Sequence, residues 1–220
     1  LYGLIDKVID KADLEASKEI QCNEPLGLLK HLLYELIDYR EKNAEEPLTK
    51  IVLLSLSVWN IFGVTQKTGY IKAIERFGII TSYVRNCEEI YYFGYNLLED
   101  YLSAKRIIDQ CGNKETVKEY CLKTLIPINE EGRISNYRNE SVFIMLTSLY
   151  ASRYGEECIN LVESIPDEWD KQRLIEQYFG TYTWRSNTAK FSSFVELLNK
   201  YPIEPKTVWQ IFIENATKDN

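Results

Sequence analysis

One stretch of this chain alternates as a β-hairpin does, and the patterns on both sides of it are typical of helices. Ile80, Ser82 and Val84 alternate with their neighbours, and residues 90–93 are all β-branched or aromatic. The polar residues 85–89 between the two runs predict a turn, so the whole stretch predicts a short antiparallel hairpin. We expect no other strand in the chain.

Two helices are predicted directly before this hairpin. They cover residues 48–62 and 65–77, and each ends before a glycine. Thr65 is a plausible N-cap for the second helix. Helix, helix and hairpin in this order form the core of a winged helix, so we predict a small winged-helix domain over residues 47–110.

Residues 1–46 are predicted to form a separate domain of two helices. Residues 4–21 and 26–37 place apolar side chains three and four positions apart, which is the pattern of a helix with one apolar face. The charged segment 40–47 follows and ends in proline. This composition indicates a solvated linker and a domain boundary.

Residues 111–220 are predicted to be helical throughout. The sequence echo between Leu161-Val162 with Ile165-Pro166 and Leu197-Leu198 with Tyr201-Pro202 is a pair of similar dipeptides at the same spacing. Two interpretations of this echo stay open, either stacked helical repeats or two unrelated helical hairpins that each contain a proline. The predicted fold class is therefore mostly α, a winged-helix domain with a short β-hairpin followed by α-helical hairpins. The candidate helices are residues 114–125, 140–154, 156–164, 167–179, 188–200 and 204–216.

The charge and hydropathy of the chain limit the classes of partner that it can bind. The 220 residues carry a net charge of −7, which repels phosphate backbones and anionic lipid. The longest apolar run, residues 51–59, is far shorter than the ~20 residues that span a bilayer. We expect a soluble, cytoplasmic chain that binds neither nucleic acid nor membranes. Because it begins at Leu1 and ends at Asn220, just after an apolar helix, we expect it to be a piece of a larger protein.

The residues that could carry catalysis or bind a metal are few. There is a single histidine, His31, which falls on the polar side of its helix and is expected at the surface. The five cysteines include no Cys-x-x-Cys pair, so buried, reduced thiols are expected rather than a zinc site or a disulfide framework. They are Cys22, Cys87, Cys111, Cys121 and Cys158. We expect no metal site and no catalytic residue.

No phosphate-binding loop of the form Gly-x-x-x-x-Gly-Lys-Ser/Thr is present in the sequence. The chain is therefore expected to have no NTPase activity by itself. Four tyrosines near the hairpin could suggest a platform for stacking bases, but their spacing favours a position in the core for most of them. They are Tyr91, Tyr92, Tyr95 and Tyr101.

The junction between the hairpin and the following helix resembles a known motif. Residues 92–104 read Tyr-Phe-Gly-Tyr-Asn-Leu-Leu-Glu-Asp-Tyr-Leu-Ser-Ala. They resemble the segment that closes the winged-helix domain of NACHT-type signalling NTPases, whose pattern is Phe-x-His-x-x-Phe-Gln-Glu-Tyr-x-Ala-Ala. Phe93, Asp100 (for Glu), Tyr101 and Ala104 fit this pattern. Tyr95 stands where many members have His.

A second segment resembles the same family. Residues 22–29, Cys-Asn-Glu-Pro-Leu-Gly-Leu-Leu, are similar to its Asn-x-Pro-Leu segment, which lies in the helical subdomain just before the winged helix. The resemblance therefore implies that residues 1–46 are the end of that subdomain. The resemblance implies that Pro25 packs against the adenine of a bound nucleotide and that Tyr95 takes the place of the histidine that contacts the β-phosphate of ADP. The two motifs lie within residues 20–108, and no specific motif follows residue 110.

The resemblance implies a regulatory and sensor part of a nucleotide-dependent signalling switch, with no catalysis and no cofactor of its own. The full-length protein would bind ADP or ATP. Its winged helix would contact the nucleotide-binding domain of the same chain, and a protein ligand or effector would be a further partner.

Two alternatives of other classes stay open. One is a winged-helix DNA-binding module, since Gln66, Lys67, Lys72 and Arg76 offer amide and basic side chains on the second predicted helix. The other is a helical-repeat scaffold for protein interaction.

Overall fold

The computed structural model describes residues 2–24, 26–44, 46–59, 62–154, 162–180 and 199–201. This part of the chain is mostly helical and contains one small antiparallel sheet, which confirms the predicted mostly α fold class. The chain divides into two compact units, Leu1–Ser103 and Ala104–Asn220.

The first unit contains four helices and the start of a fifth. They are α1 (Tyr2–Glu19), α2 (Leu28–Lys42), α3 (Lys50–Ser55), α4 (Val64–Arg76) and α5 (Asn96–Cys111), which continues into the second unit. Three strands complete the unit: β1 (Leu48–Thr49), β2 (Ile80–Arg85) and β3 (Glu88–Phe93).

The sheet has the order β1-β3-β2, with both neighbouring pairs antiparallel. The predicted hairpin is confirmed, and its register runs from Ile80 opposite Phe93 to Arg85 opposite Glu88. Asn86 and Cys87 form the turn with φ of 52° and 66°. Positive φ at both turn residues is the geometry of a type I′ hairpin, whose twist matches that of the strands.

Strand β1 corrects two expectations, that no other strand exists and that residues 48–62 form one helix. Leu48 pairs with Tyr91 and Thr49 pairs with Ile90, so the backbone here bonds to the sheet. The Thr49 hydroxyl then accepts a hydrogen bond from Val52 N–H and caps α3. The helix therefore begins only at Lys50. It ends at Ser55 and is followed by a 3-10 turn at Ser57–Trp59.

The prediction of Thr65 as an N-cap is wrong. Helix α4 begins one residue earlier, at Val64, and Gly63 is the N-cap. The Gln66 side chain accepts a hydrogen bond from Gly63 N–H at 3.0 Å. This contact satisfies a backbone donor at the start of the helix, so Thr65 is not needed for that purpose.

Helices α1 and α4 pack against each other, and both bury small side chains. Ala12 and Ala16 of α1 are fully buried, and Ala73 of α4 is buried as well. A β-carbon on Gly69 would lie 3.4 Å from the Glu19 β-carbon. Small residues at a helix contact let the two axes approach closely.

The predicted division into residues 1–46, 47–110 and 111–220 differs from the two compact units. Residues 40–42, expected in a linker, belong to the last turn of α2. The helices on both sides of the expected boundary lie in one unit because α1 packs on α4.

The second unit contains α6 (Lys114–Tyr120), α7 (Glu140–Tyr154) and α8 (Glu168–Gly180). Helix α7 matches its predicted bounds. The helix predicted over residues 114–125 is α-helical only to Tyr120 and ends in a π-helical turn at Cys121–Leu125. The predicted helix at 204–216, nearly all of the helices at 156–164 and 188–200, and Cys158 lie outside the described residues, as does most of the echo between them.

Among the helices that the structure describes, none has both the length and the apolar composition needed to cross a bilayer. Within the same residues, no group of three or more His, Cys, Asp or Glu side chains could hold a metal ion.

Candidate functional site

Tyr95 lies at the junction between β3 and α5, where the resemblance implies a nucleotide contact. Its side chain is 68% exposed. The ring lies over Gly78. A β-carbon added to that glycine would be 3.8 Å from Cε2 of Tyr95. Within the described part of the chain, the Tyr95 hydroxyl has no hydrogen-bond partner. It is therefore accessible to a group from outside this unit.

The backbone around Tyr95 is held by two glycines. Gly94 N–H donates to the carbonyl of Ile79 at 3.0 Å, which closes the end of the hairpin. A β-carbon on Gly94 would lie 1.9 Å from the carbonyl oxygen of Gly78, so only glycine fits at this position. Gly78 itself has φ of 65°, a conformation that L-residues rarely adopt. These constraints fix where Tyr95 emerges from the fold.

The surface beside Tyr95 is an open apolar groove of about 190 Å³. Helix α1 contributes Leu4 and Val8 to its walls, the α4–β2 connection contributes Phe77, and α5 contributes Leu97. Among the described residues, none that lines the groove carries a charge. The lining is otherwise formed by apolar side chains and backbone, so the groove, apart from the Tyr95 hydroxyl at its edge, is suited to apolar packing.

The four tyrosines near the hairpin do not share one environment. Tyr91 and Tyr101 are buried, as predicted for most of the group. Tyr92 and Tyr95 are exposed, because Tyr92 lies on the outer face of the sheet and Tyr95 lies beyond its last strand. Burial of Tyr91 raises the pKa of its hydroxyl, and the hydrogen bond to Glu89 raises it further.

Pro25 lies outside the described residues. Its flanking residues, however, are held on both sides. Cys22 N–H donates to the carbonyl of Ser17 at 3.0 Å, and Gly27 N–H donates to the Asp13 carboxylate at 2.8 Å. The structure therefore fixes the two ends of the segment that carries Pro25.

Asp13 is the residue of this region that sequence reasoning missed. Its carboxylate is buried and accepts hydrogen bonds from Gly27 N–H, Leu29 N–H and the Tyr70 hydroxyl. The sequence held a signal, since Asp13 follows Ile9 and Ala12 in the apolar stripe of α1, where an aliphatic residue is expected. A buried carboxylate requires such partners.

Most of the side chains proposed to contact DNA form hydrogen bonds or ion pairs within the protein. Lys67 donates to the carbonyl of Leu54 at 2.9 Å, and Arg76 pairs with Glu19 at 2.9 Å. Gln66 holds the start of α4, as described above. Lys72 is exposed. Of the four predicted residues, three are therefore used in intramolecular contacts.

The remaining residues singled out in the sequence have simple environments. His31 is exposed on α2, as expected. Cys121 is buried, but Cys22 and Cys111 are half-buried and Cys87 is exposed in the hairpin turn, so the expectation of buried thiols is wrong for these three. All four described cysteines are free thiols.

The second unit has its own polar cluster around the start of α8. The buried Asp170 carboxylate accepts hydrogen bonds from Ile134 N–H at 2.8 Å and from the Tyr137 hydroxyl at 2.6 Å. The Arg173 guanidinium stacks on the Tyr137 ring at 4.3 Å and pairs with Glu140 at 2.6 Å. These contacts fasten the loop before α7 to α8, and we interpret them as structural.

The structure thus places one of the two predicted nucleotide contacts, Tyr95, at an accessible surface position and leaves Pro25 outside the described residues. Comparison of the sequence with models of known protein families found no match, and comparison with curated proteins and with solved structures found none either.

Proposed function

We propose that this chain is a non-catalytic regulatory part of a nucleotide-dependent signalling switch of the NACHT type. In this proposal, residues 1–46 are the end of its helical subdomain, residues 47–110 are its winged helix, and the helical region after them is the start of a sensor array. The observation that carries the proposal is the exposure of Tyr95, whose hydroxyl has no hydrogen-bond partner among the described residues, in the segment that resembles the phosphate-contacting motif of this family.

The connectivity of the first unit supports the winged-helix assignment. Helix α2 leads into the short strand β1, then α3 and α4 follow, and the β2–β3 hairpin closes the unit. The strand order β1-β3-β2 brings the first strand beside the last. This arrangement positions α4 next to the hairpin, as in a helix-turn-helix with one wing.

The environment of Tyr95 supports a role in docking to another domain. An apolar groove next to one hydrogen-bond donor suits an interface in which most of the area is apolar and a few polar groups set the orientation. A nucleotide that touches such an interface in only one of two conformations would shift the balance between them. In this proposal the partner is the nucleotide-binding domain of the same protein, and it supplies the phosphate-binding loop.

The test is the nucleotide content of the gene product that contains this chain. The protein is purified without added nucleotide, denatured, and its small-molecule fraction is separated by chromatography. The proposal expects ADP in near-stoichiometric amount. The 220-residue chain alone should contain none and should not hydrolyse ATP. ATP turnover by the 220-residue chain that follows the folded protein through purification would contradict the proposal.

A winged-helix DNA-binding module is the second candidate, favoured by the same connectivity and by the exposed Lys72. Fluorescence anisotropy with random duplex DNA at low salt separates the two. The proposed switch predicts nothing tighter than the roughly 10⁻⁴–10⁻⁶ M of non-specific binding. Salt-sensitive binding below micromolar concentration that is lost in Lys72→Glu, but not in the control Lys105→Glu outside α4, would favour the DNA-binding module.

A further inference from the structure

One carboxylate joins three separate elements of the first unit. Asp13 on α1 is 4% exposed, and its Oδ2 accepts a hydrogen bond from Gly27 N–H at 2.8 Å. Its Oδ1 accepts hydrogen bonds from Leu29 N–H at 2.9 Å and from the Tyr70 hydroxyl of α4 at 2.5 Å. Helix α1 is thereby bonded both to the start of α2 and to the middle of α4.

The start of α2 depends on this carboxylate. Gly27 is the N-cap residue and has no side chain that could satisfy the first backbone donors. A helix leaves four such N–H groups without partners inside the helix itself. Asp13 supplies the missing acceptor from another element, and its negative charge is favourable at this end of the helix dipole.

Tyr70 is a rigid donor on the other side of the carboxylate. Its side chain is fully buried and packs edge-to-face on Trp59, with ring centroids 5.5 Å apart. Burial, followed by the bond to Asp13, raises the pKa of the hydroxyl, so it stays protonated and continues to donate. The position of Oδ1 is therefore set by α4 as well as by α1.

We propose that Asp13 is a positioning residue that couples the loop at residues 22–27 to the docking of α4 on α1. The Gly27 end of the loop keeps its place while Tyr70 holds the carboxylate that caps α2, and the Cys22 end is held separately by the Ser17 carbonyl. This inference rests on the proposed function in one respect, since the loop carries Pro25, the residue assigned to the nucleotide. A movement of α4 would then reach the adenine side of the site through a single hydrogen-bonded group.

The test is hydrogen exchange of single backbone amides in the 220-residue chain, followed by NMR. Tyr70→Phe removes only the hydroxyl and keeps the ring on Trp59. We expect the amides of Gly27 and Leu29 to exchange severalfold faster in this variant, and at least tenfold faster in Asp13→Asn. Amides of β3, outside the Asp13 contacts, serve as the internal reference and should change little.

The matched control is Tyr101→Phe. The Tyr101 hydroxyl also donates to an aspartate of α1, Asp6, at 2.8 Å, but Asp6 does not cap α2. This variant should leave the amides of Gly27 and Leu29 at their wild-type rates. The proposal is overturned if Tyr70→Phe leaves both amides unchanged, if it raises all amides including those of β3 equally, or if Tyr101→Phe has the same effect.

The exchange experiment needs no nucleotide, so its outcome is independent of the ADP measurement. Loss of the proposed function, shown by absence of ADP from the gene product, would leave a selective effect at Gly27 and Leu29 intact. Loss of the coupling, with ADP present, would leave the proposed function intact.

Discussion

Cys87 occupies a backbone conformation that suits glycine better. Its φ of 66° follows Asn86 at 52° in the hairpin turn. A left-handed L-residue costs about 1–2 kcal/mol, whereas the extra entropy of glycine costs about 0.5–1 kcal/mol. Cys87→Gly is therefore expected to raise the free energy of unfolding by about 0.5–1 kcal/mol in urea titrations. Cys87→Ala, which keeps a β-carbon, is the control and should give no gain; equal stability of the two variants would contradict the argument.

Because of Tyr70, the free energy of unfolding should depend on pH in the alkaline range. Burial and the bond to Asp13 raise the pKa of its hydroxyl above the ordinary value of 10.0. The unfolded chain loses this proton near pH ~10 while the folded protein keeps it, so the stabilisation is complete below that pH and is lost as the pH rises. The loss should be about 1.4 kcal/mol per pH unit.

Tyr70→Phe has no proton to lose at this position. Its free energy of unfolding, measured by urea titration, should fall by about 1 kcal/mol less than that of the wild type between pH ~10 and ~11, where the unfolded tyrosine is only partly ionised. The range from pH ~7 to ~9 is the control, where the two slopes should coincide. Identical slopes in the alkaline range would show that Tyr70 is not the group responsible.

At the scale of elements, alanine substitutions of two glycines, Gly94 and Gly69, should change the free energy of unfolding in opposite directions. A β-carbon on Gly94 would lie 1.9 Å from the carbonyl oxygen of Gly78, so the hairpin end or the α4–β2 connection would have to move. Gly94→Ala should lower the free energy of unfolding by about 3 kcal/mol, at the upper end of the range for overpacking.

Gly69, in the middle of α4, has room for the same change. The nearest atom to its added β-carbon would be the Glu19 β-carbon at 3.4 Å, an ordinary contact. Because glycine weakens the interior of a helix, Gly69→Ala should raise the free energy of unfolding by about 0.5–1 kcal/mol. Thermal unfolding of both variants checks the pair. Destabilisation by Gly69→Ala would mean that α1 and α4 pack more tightly than these distances indicate.

The elements that the sequence predicted well are those whose signal is local. The hairpin alternates over several residues, and residues 140–154 contain no glycine or proline and are followed by Gly155, so the hairpin and α7 were predicted close to their observed bounds. Strand β1 was missed because its two residues become a strand only by pairing with Ile90 and Tyr91, some forty positions later. Propensity over so short a segment is easily overridden by such tertiary pairing.

The packing of α1 on α4 was missed for a different physical reason. The side-chain contacts across it include Asp13 with Tyr70 and Glu19 with Arg76, polar pairs that the apolar periodicity of the sequence does not predict. The expected boundary near residue 46 followed from the charged segment alone. Tyr95 was singled out by its resemblance to a motif, and its role in nucleotide binding stays a prediction. Its position beside Gly78 and close to Gly94 appears only in three dimensions.

At the scale of the whole molecule, the chain divides into two compact units and carries a net charge of −7, which repels the phosphates of a duplex. The intramolecular use of Lys67 and Arg76 removes basic groups that a duplex would need. The exposed Tyr95 and the apolar groove beside it remain as the surface that a partner domain would cover.

The most direct measurement is the affinity of ADP for the gene product that contains this chain, determined by calorimetric titration of the nucleotide-free protein. ADP should bind. Tyr95→Phe should weaken binding about two- to tenfold, the equivalent of one neutral hydrogen bond of ~0.5–1.5 kcal/mol. Tyr92→Phe, which changes another exposed tyrosine of the same unit, should leave the affinity unchanged. Absence of ADP binding would contradict the proposed switch, and an unchanged affinity in Tyr95→Phe would contradict the contact between Tyr95 and the phosphate.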